Sequence, residues 1–317
     1  MTVEVGPEIL KRKLHIVMDA SKYDLFRLCE CRYNYRYNFN LTPSVKSPQL
    51  DRGTLVHLGN EVYYEAISNG TKYGEAVVAA LSKIREGGVC ASDLDSDEIT
   101  RIVDVMEEYY DFWRVEDQNL RIESVEQPFM YLLYEDDEVK FYMSGKIDLM
   151  FSDNKYTNVP MDHKSYDRAS EVLRMSNQFK NYVTAVESNY LFVNRIGFQK
   201  TVKAHEKFKR VPLSYDKLIL QDWKENVIKS MFHYVRCAAE ESWPMNETSC
   251  DKYYRRCEYY DVCDSSGKEA KLYKLNNNFI KSEPWDVTKV LRKASQEFED
   301  TKDAREKAHS STETTEI

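Results

Sequence analysis

Gly145-Lys146-Ile147-Asp148, then Val159-Pro160-Met161-Asp162-His163-Lys164, then Gln178-x-x-x-Tyr182 make up the part of this 317-residue chain whose reading decides the fold. The surrounding residues form short β-rich runs over 124–134, 139–144, 146–151 and 156–164, separated by turns at Asp136-Asp137 and at 152–154. That texture predicts an antiparallel meander. Residues two apart on a strand share a face, so Asp162 and Lys164 project together and His163 points away. Asp148 falls on the preceding strand of the same meander. Gln178 and Tyr182 lie four apart on a helix predicted over 171–186, so they also share a face. Carboxylate oxygens suit a hard divalent cation, and a nearby ammonium can orient water and offset negative charge. A single Asp or Lys at a strand end is ordinarily just solvated; the ordered set, each member on the expected element, carries the signal.

Outward from this stretch, residues 1–15 read as an irregular arm leading into 16–20, with Ser21 as a helix N-cap and a helix running into the Tyr- and Arg-rich segment 31–39. Helices are predicted over 52–68, ended by Asn69-Gly70, over 73–85, broken by Gly87-Gly88, and over 96–114. Beyond the central stretch, strands are expected over 190–197 and 208–212 and a long helix over 215–241. Residues 250–263 read as a compact loop. A charged helix follows Asp286, and the tail 310–317 lacks the apolar residues to fold. With no internal repeat and no linker, one elaborated domain over 1–285 is expected, followed by a charged segment over 286–317.

Hydrophobic residues make up 42% of the chain, enough for a sizeable core, and no run approaches a membrane span. The start of the chain has no secretory pattern, so a soluble cytoplasmic protein is expected. The net charge is −8, from 45 basic and 53 acidic residues, which argues against coating nucleic acid over the whole surface. It leaves room for a local basic groove: Arg195, Lys200, Lys203, Lys207, Lys209 and Arg210 cluster around one strand–loop–strand. A solvated hairpin face is the ordinary reading of such a run. Arg32, Tyr33, Tyr35, Arg36 and Tyr37 mix cations with aromatics in a way that suits single strands, although aromatic packing is the plainer account.

Three of the seven cysteines, Cys250, Cys257 and Cys263, lie within fourteen residues. Intracellular clustering of this kind indicates metal ligation rather than a disulfide framework. Zinc and iron–sulfur sites usually take four ligands, so a fourth thiolate must come from elsewhere. Cys90 and Cys237 carry no such pattern and read as ordinary buried thiols.

Together these motifs resemble the RecB-like branch of the PD-(D/E)XK nuclease superfamily. Asp148 fits its first acidic position, Pro160, Asp162 and Lys164 its second half-motif, and Gln178-Phe-Lys-Asn-Tyr182 its QxxxY motif. Arg52-Gly53-Thr-Leu-Val-His57 resembles its RG-x-x-x-H helix. The resemblance spans roughly 21–263 and implies a restriction-endonuclease-like α/β core, a mixed sheet flanked by helices. It implies Mg²⁺ or Mn²⁺ held by His57, Asp148, Asp162 and the His163 carbonyl. Lys164 would be the catalytic cation, Gln178 and Tyr182 would position the scissile strand, and Glu61 and Glu126 would be supporting acids. It also implies a [4Fe–4S] cluster joining segments 21–40 and 245–265, on Cys250, Cys257, Cys263 and either Cys29, which the Tyr35-Arg36-Tyr37 alignment selects, or Cys31. Zn²⁺ in the same thiolates is the alternative, and the gap of six between Cys250 and Cys257 departs from the family's commoner C-x2-C.

The activity so implied is a metal-dependent DNA exonuclease acting on single-stranded ends, in recombination, repair or phage DNA processing within a bacterial or phage-infected cell. Arg36, Lys200, Lys203, Lys207, Lys209 and Arg210 would contact DNA. A catalytically silent iron–sulfur DNA-binding scaffold and an RNA-directed nuclease are the rival readings. The chain has no phosphate-loop motif for a motor of its own, so any unwinding would come from a helicase or recombination partner.

Overall fold

The structure is a computed structural model that describes residues 13–44, 48–91, 94–167, 174–252 and 255–292. In chain order, β1 (Leu14–Asp19) leads into α1 (Ala20–Leu28), a short α2 (Glu30–Tyr33), a π-helical turn over Asn34–Asn38, and β2 (Leu41–Pro43). Three helices follow, α3 (Pro48–Ser68), α4 (Tyr73–Ala91) and α5 (Ser96–Asp117). Next come β3 (Arg121–Glu135), β4 (Val139–Ser152), β5 (Val159–Tyr166), α6 (Asn177–Ala185), β6 (Tyr190–Gly197), α7 (Ala204–Lys207), β7 (Phe208–Ser214) and α8 (Lys217–Ala239). The chain then forms a small hairpin of β8 (Asp251–Lys252) and β9 (Arg255–Arg256), the turn α9 (Tyr260–Cys263), α10 (Lys268–Asn278) and β10 (Phe279–Lys281).

The spine is a mixed sheet of six strands in the order β1-β4-β5-β6-β7, with β3 on the other edge of β4. The β3–β4–β5 pairings are antiparallel, as the alternation predicts. β6 runs parallel to β5 because α6 carries the chain back across the sheet. On one face α3, α4 and α5 bury Val56, Tyr63, Tyr64, Ile84, Met106, Tyr109 and Tyr110 against Leu149, Met161, Ile196 and Phe208 of the strands. On the other, Trp223, Val227 and Met231 of α8 pack on Met18, Phe141 and Met143, while Phe179 and Val183 of α6 pack on Leu191 and Val193. The architecture is therefore an α/β sandwich with helices on both faces. No helix among the described residues is long and apolar enough to cross a membrane.

Several expectations shift. Residues 14–19 form an edge strand parallel to β4 rather than an arm; Ile16 and Met18 alternate inward, a pattern too short to stand out in sequence. The cap of α1 is Asp19, whose carboxylate accepts the Lys22 amide at 2.8 Å, and Ser21 sits inside the helix. Gly87-Gly88 does not break α4. A Cβ at Gly87 would stand 2.9 Å from Leu58 and one at Gly88 2.9 Å from Ile99, so both glycines serve the close approach of neighbouring helices. The two strands expected around Gly145 are one continuous β4; a Cβ there would lie 2.6 Å from the Phe129 ring. The helix expected from residue 171 starts at Asn177, with residues 168–173 outside those described, as are the tail 310–317 and most of the charged segment after Asp286.

Beneath the α5 face lies a buried ion pair. Arg210 on β7 donates to Asp117 at 2.6 Å and to the Tyr64 hydroxyl at 3.0 Å, and its guanidinium stacks 4.2 Å from the Trp113 ring centre. The two side chains are 9% and 1% exposed, so the charges have left water and each depends on the other. Arg210→Met is expected to cost about 3–5 kcal/mol by stranding the Asp117 charge. Urea unfolding at pH 8 reads this directly, and the loss should shrink as the pH is lowered and Asp117 takes up a proton.

Candidate active site

β4 and β5 place Asp148 and Asp162 on adjacent strands, and α3 brings His57 over them. His57 Nδ1 is 3.5 Å from Asp148 Oδ2 and 3.9 Å from Glu126 Oε1. Among the described residues His57, Glu126 and Asp148 form a trio whose ligand atoms all lie within 4.8 Å of one another. Glu126 stands across from Asp148, between Val125, which pairs with Leu149, and Gln127, which pairs with Ile147. Its backbone is left-handed, φ 49°, in the middle of a strand. A non-glycine residue adopts that conformation at a cost, and such strain concentrates at functional sites. Lys146 closes this side with an ion pair to Glu126 Oε2.

The second half of the site is a chain of polar contacts on the α6 side. Lys164 Nζ donates to Asp162 Oδ1 at 3.0 Å and to Gln178 Oε1 at 3.1 Å. Gln178 Nε2 donates to the Tyr182 hydroxyl at 2.8 Å, which in turn donates to the Lys146 carbonyl at 2.6 Å. Asp162 is fully buried, and both of its oxygens face the Lys164 ammonium, Oδ1 through the hydrogen bond and Oδ2 as an ion-pair contact at 2.9 Å. The Asp148 carboxylate accepts the His163 amide at 2.8 Å, fastening the two strands at the site. His163 points away, as the alternation predicts. Its ring stacks on Tyr64 with centroids 5.5 Å apart, and its Nδ1 meets Asn194 Nδ2 at 2.7 Å.

Charge follows from burial and neighbours. Desolvation, together with the Asp162 charge, pushes the Asp148 carboxyl up to about 7. Burial opposes the charge on Lys164, but the Asp162 and Asp148 carboxylates outweigh it and raise its pKa, so the ammonium persists at neutral pH. Burial likewise opposes a charge on His57, and Glu126 and Asp148 outweigh it. His163 is held neutral by complete burial. On Glu61, one turn along α3 from His57, desolvation and the Glu126 charge raise the pKa.

The donor set fits a hard divalent cation: the Glu126 and Asp148 carboxylates and the His57 imidazole bring their ligand atoms within 4.8 Å of one another. Glu126, expected as a supporting acid, belongs geometrically to the trio itself, while Asp162 is engaged by Lys164. No local motif around Glu126 announces its left-handed turn, so sequence reasoning could not have ranked it there.

The basic cluster does not behave as one unit. Lys200, Lys203 and Lys209 are exposed. Lys207 is tied to Glu108 at 2.7 Å, and Arg210 is consumed by the Asp117 pair, which removes it from the expected DNA contacts. Arg195 stacks over the Tyr166 ring at 4.5 Å.

The cysteine segments meet as expected, across more than two hundred residues. Cys31 Sγ is 3.9 Å from Cys263 Sγ, and buried Cys29 accepts the Asn246 amide at 3.4 Å. Cys257 donates its amide to the Cys250 carbonyl at 2.8 Å. Arg32 pairs with Glu258 at 2.6 Å, and the Tyr35, Tyr259 and Phe279 rings stack in a row. The direct thiol contact to the C-terminal segment belongs to Cys31, on Cys263, while Cys29 lies against Asn246. Cys237 is buried yet not ordinary: it lies 3.5 Å from Glu30 Oε2 and 3.7 Å from His233 Nε2. The Cys90 side chain lies outside the described residues.

With this geometry in view, residues 18–264 match the PD-(D/E)XK nuclease superfamily, a span that includes His57, Glu126, Asp148, Asp162, Lys164, Gln178 and Tyr182. The chain belongs to that superfamily, and as a member it is a nuclease dependent on a divalent metal. Among solved structures it is similar to a candidate exonuclease from Eubacterium rectale, at 14% identity over 92% of this chain and 97% of that one, TM-score 0.47. It is also similar to SSO0001, at 8% identity over 70% of this chain and 79% of that one, TM-score 0.32. No curated protein matches.

The raised Asp148 has a consequence for stability. In the unfolded chain this carboxyl loses its proton near pH 4, whereas in the fold it keeps it to about 7. The metal-free fold therefore loses stability as the pH rises from 4 to 7 and bears the full penalty above that. Asp148→Asn is expected to stabilise the metal-free protein at pH 8 by up to about 4 kcal/mol and to have little effect at pH 4. Thermal unfolding in chelator across that range checks the direction.

Proposed function

We propose that this chain is a RecB-like, iron–sulfur deoxyribonuclease that removes nucleotides from the ends of single-stranded DNA. The observation that carries the reading is the pairing of the His57–Glu126–Asp148 trio with the Asp162–Lys164–Gln178 chain, which runs from the adjacent strand β5 to α6. Mg²⁺ or Mn²⁺ would be held by His57, Asp148, Asp162 and the His163 carbonyl, with Glu126 as a further oxygen donor. When bound, such an ion supplies Lewis-acid activation of water and compensation of phosphate charge.

The chain's own residues do the rest. Lys164, cationic at neutral pH, holds the attacking water by hydrogen bonding and stabilises the negative charge that builds on the phosphate; it does not act as a base. Gln178 fixes the Lys164 ammonium, and Tyr182, anchored on the Lys146 carbonyl, fixes Gln178, so α6 presets the geometry before substrate arrives. Lys200, Lys203 and Lys209 are the members of the basic cluster left free to meet backbone phosphates.

The four-thiolate site would be a [4Fe–4S] cluster on Cys250, Cys257, Cys263 and an N-terminal cysteine, the Cys31–Cys263 contact favouring Cys31 over Cys29. Its role would be structural, closing a domain over 1–285. The biological setting that fits is end-processing of DNA in recombination, repair or phage replication, in a bacterial cytoplasm, with any unwinding supplied by a partner.

Incubation of end-labelled linear and closed circular single-stranded DNA with Mg²⁺ or Mn²⁺ tests the activity. Linear substrate should be shortened from an end and circles left whole; Asp162→Ala and Lys164→Ala should lower the rate at least a thousandfold without unfolding the protein. Wild-type rates in either variant would sink the assignment, and cutting of circles would make the enzyme an endonuclease. Cys257→Ser should lose the brown absorbance of anaerobically purified protein; a colourless wild type with one zinc per chain would replace iron by zinc.

A further inference from the structure

A cleft of about 430 Å³ opens beside the candidate active site. Its lining includes Gln178, Tyr182 and Lys146, the residues whose hydrogen bonds lead back to Lys164. Its walls come from two segments far apart in sequence. One is the π-helical turn with Arg36 and Tyr37; the other is the stretch that leaves β10 and ends on Trp285. These walls are joined through the antiparallel β2–β10 pair and the Ser282 amide, which donates to the Asn40 carbonyl at 2.9 Å.

The lining has a particular chemistry. Lys22, Arg36 and Lys146 supply three cations against the anions Asp19 and Glu283. Lys146 is tied to Glu126, and Lys22 lies 3.9 Å from Asp19. Arg36 has no ion-pair partner among the described residues; it rests 5.9 Å from the Tyr37 ring centre, with Lys22 at 5.8 Å from the same ring. Trp285 is 40% exposed, an unusual loss of burial for so large a ring. Aromatic faces interleaved with cations, in a narrow cleft that runs into phosphate-directed chemistry, suit unstacked bases on a polyanionic backbone. A duplex presents no free base faces to such rings.

We propose that this cleft holds a single polynucleotide strand next to the scissile phosphate, with Tyr37 and Trp285 stacking on bases and Arg36 contacting the backbone. The proposal rests on the nuclease reading above and adds a binding subsite to it.

The test uses the full-length chain carrying Asp162→Ala, in chelator, with a fluorescein-labelled twenty-nucleotide oligo(dT) followed by anisotropy. Trp285→Ala and Arg36→Ala, each added to that background, should weaken binding about tenfold. Trp285→Phe should restore most of the affinity, which a merely structural role for the side chain would not predict once unfolding midpoints are matched. Bound strand should also quench tryptophan fluorescence in the parent and not in Trp285→Phe. Parent-like affinity in both alanine variants, or equal losses for a blunt duplex of the same length, would overturn the proposal. Hydrolysis of bis(p-nitrophenyl) phosphate by the wild-type chain separates the two readings. A wild type that binds oligo(dT) through these residues yet hydrolyses no phosphodiester keeps the cleft and sinks the nuclease.

Discussion

Two carboxylates buried on neighbouring strands constrain everything around them. Asp148 and Asp162 repel one another and burial deprives both of water, and the Asp148 carboxyl is pushed up as a result. The structure answers with oriented donors. The His163 amide points at Asp148, the Lys164 ammonium at Asp162, and His57 stands over Asp148 from the helical layer. What remains uncompensated is the elevated Asp148, and a divalent cation would relieve it. The stability given up in the metal-free fold is thus the same free energy that favours metal binding.

That arrangement needs rigid backing, and the backing differs on the two faces. On the α6 side it is a linear relay from Lys164 through Gln178 and Tyr182 to the Lys146 carbonyl, ending on the strand that carries Asp148. On the α3–α5 side it is a buried network: His163 meets Asn194, Asn194 donates to Tyr109 at 2.6 Å, Tyr109 meets Tyr64 at 2.9 Å, and Tyr64 accepts from Arg210, itself held by Asp117. Breaking any link of such a buried polar network strands its partner away from water, which favours this arrangement of His163. The residue between Asp162 and Lys164 is pinned by this second network, so the strand cannot rotate its catalytic face.

The legible parts of the molecule were those governed by short-range periodicity. Alternation at 159–164 put Asp162 and Lys164 on one face, and four-residue spacing put Gln178 and Tyr182 together. Long amphipathic helices were readable as well, even where their glycines misled. Gly87-Gly88 looks like a break only while Leu58 and Ile99, which need that space, are unknown. The illegible parts depend on contacts between distant residues. Nothing near Arg210 in sequence reveals that Asp117 waits for it, and a run of lysines and arginines conceals which of them are already paired. Glu126 turns left-handed to face His57, a local oddity dictated by packing rather than by residue type.

The ends of the chain show how a weakly apolar segment can still be placed. The stretch from β10 to Trp285 buries little, since Ile280 is 53% exposed and only Phe279 reaches an apolar cluster. Hydrophobic burial alone would not hold it. It is held through the antiparallel β2–β10 pair, the Ser282 amide on the Asn40 carbonyl and the Tyr35–Tyr259–Phe279 stack, with the Cys31–Cys263 contact beside them. Closing so long a loop costs entropy that a few side-chain contacts offset poorly, whereas ligand bonds from thiolates to a shared metal centre would offset it readily. The same closure forms the wall that carries Trp285, so the region with the least core of its own is positioned by its most distant contacts.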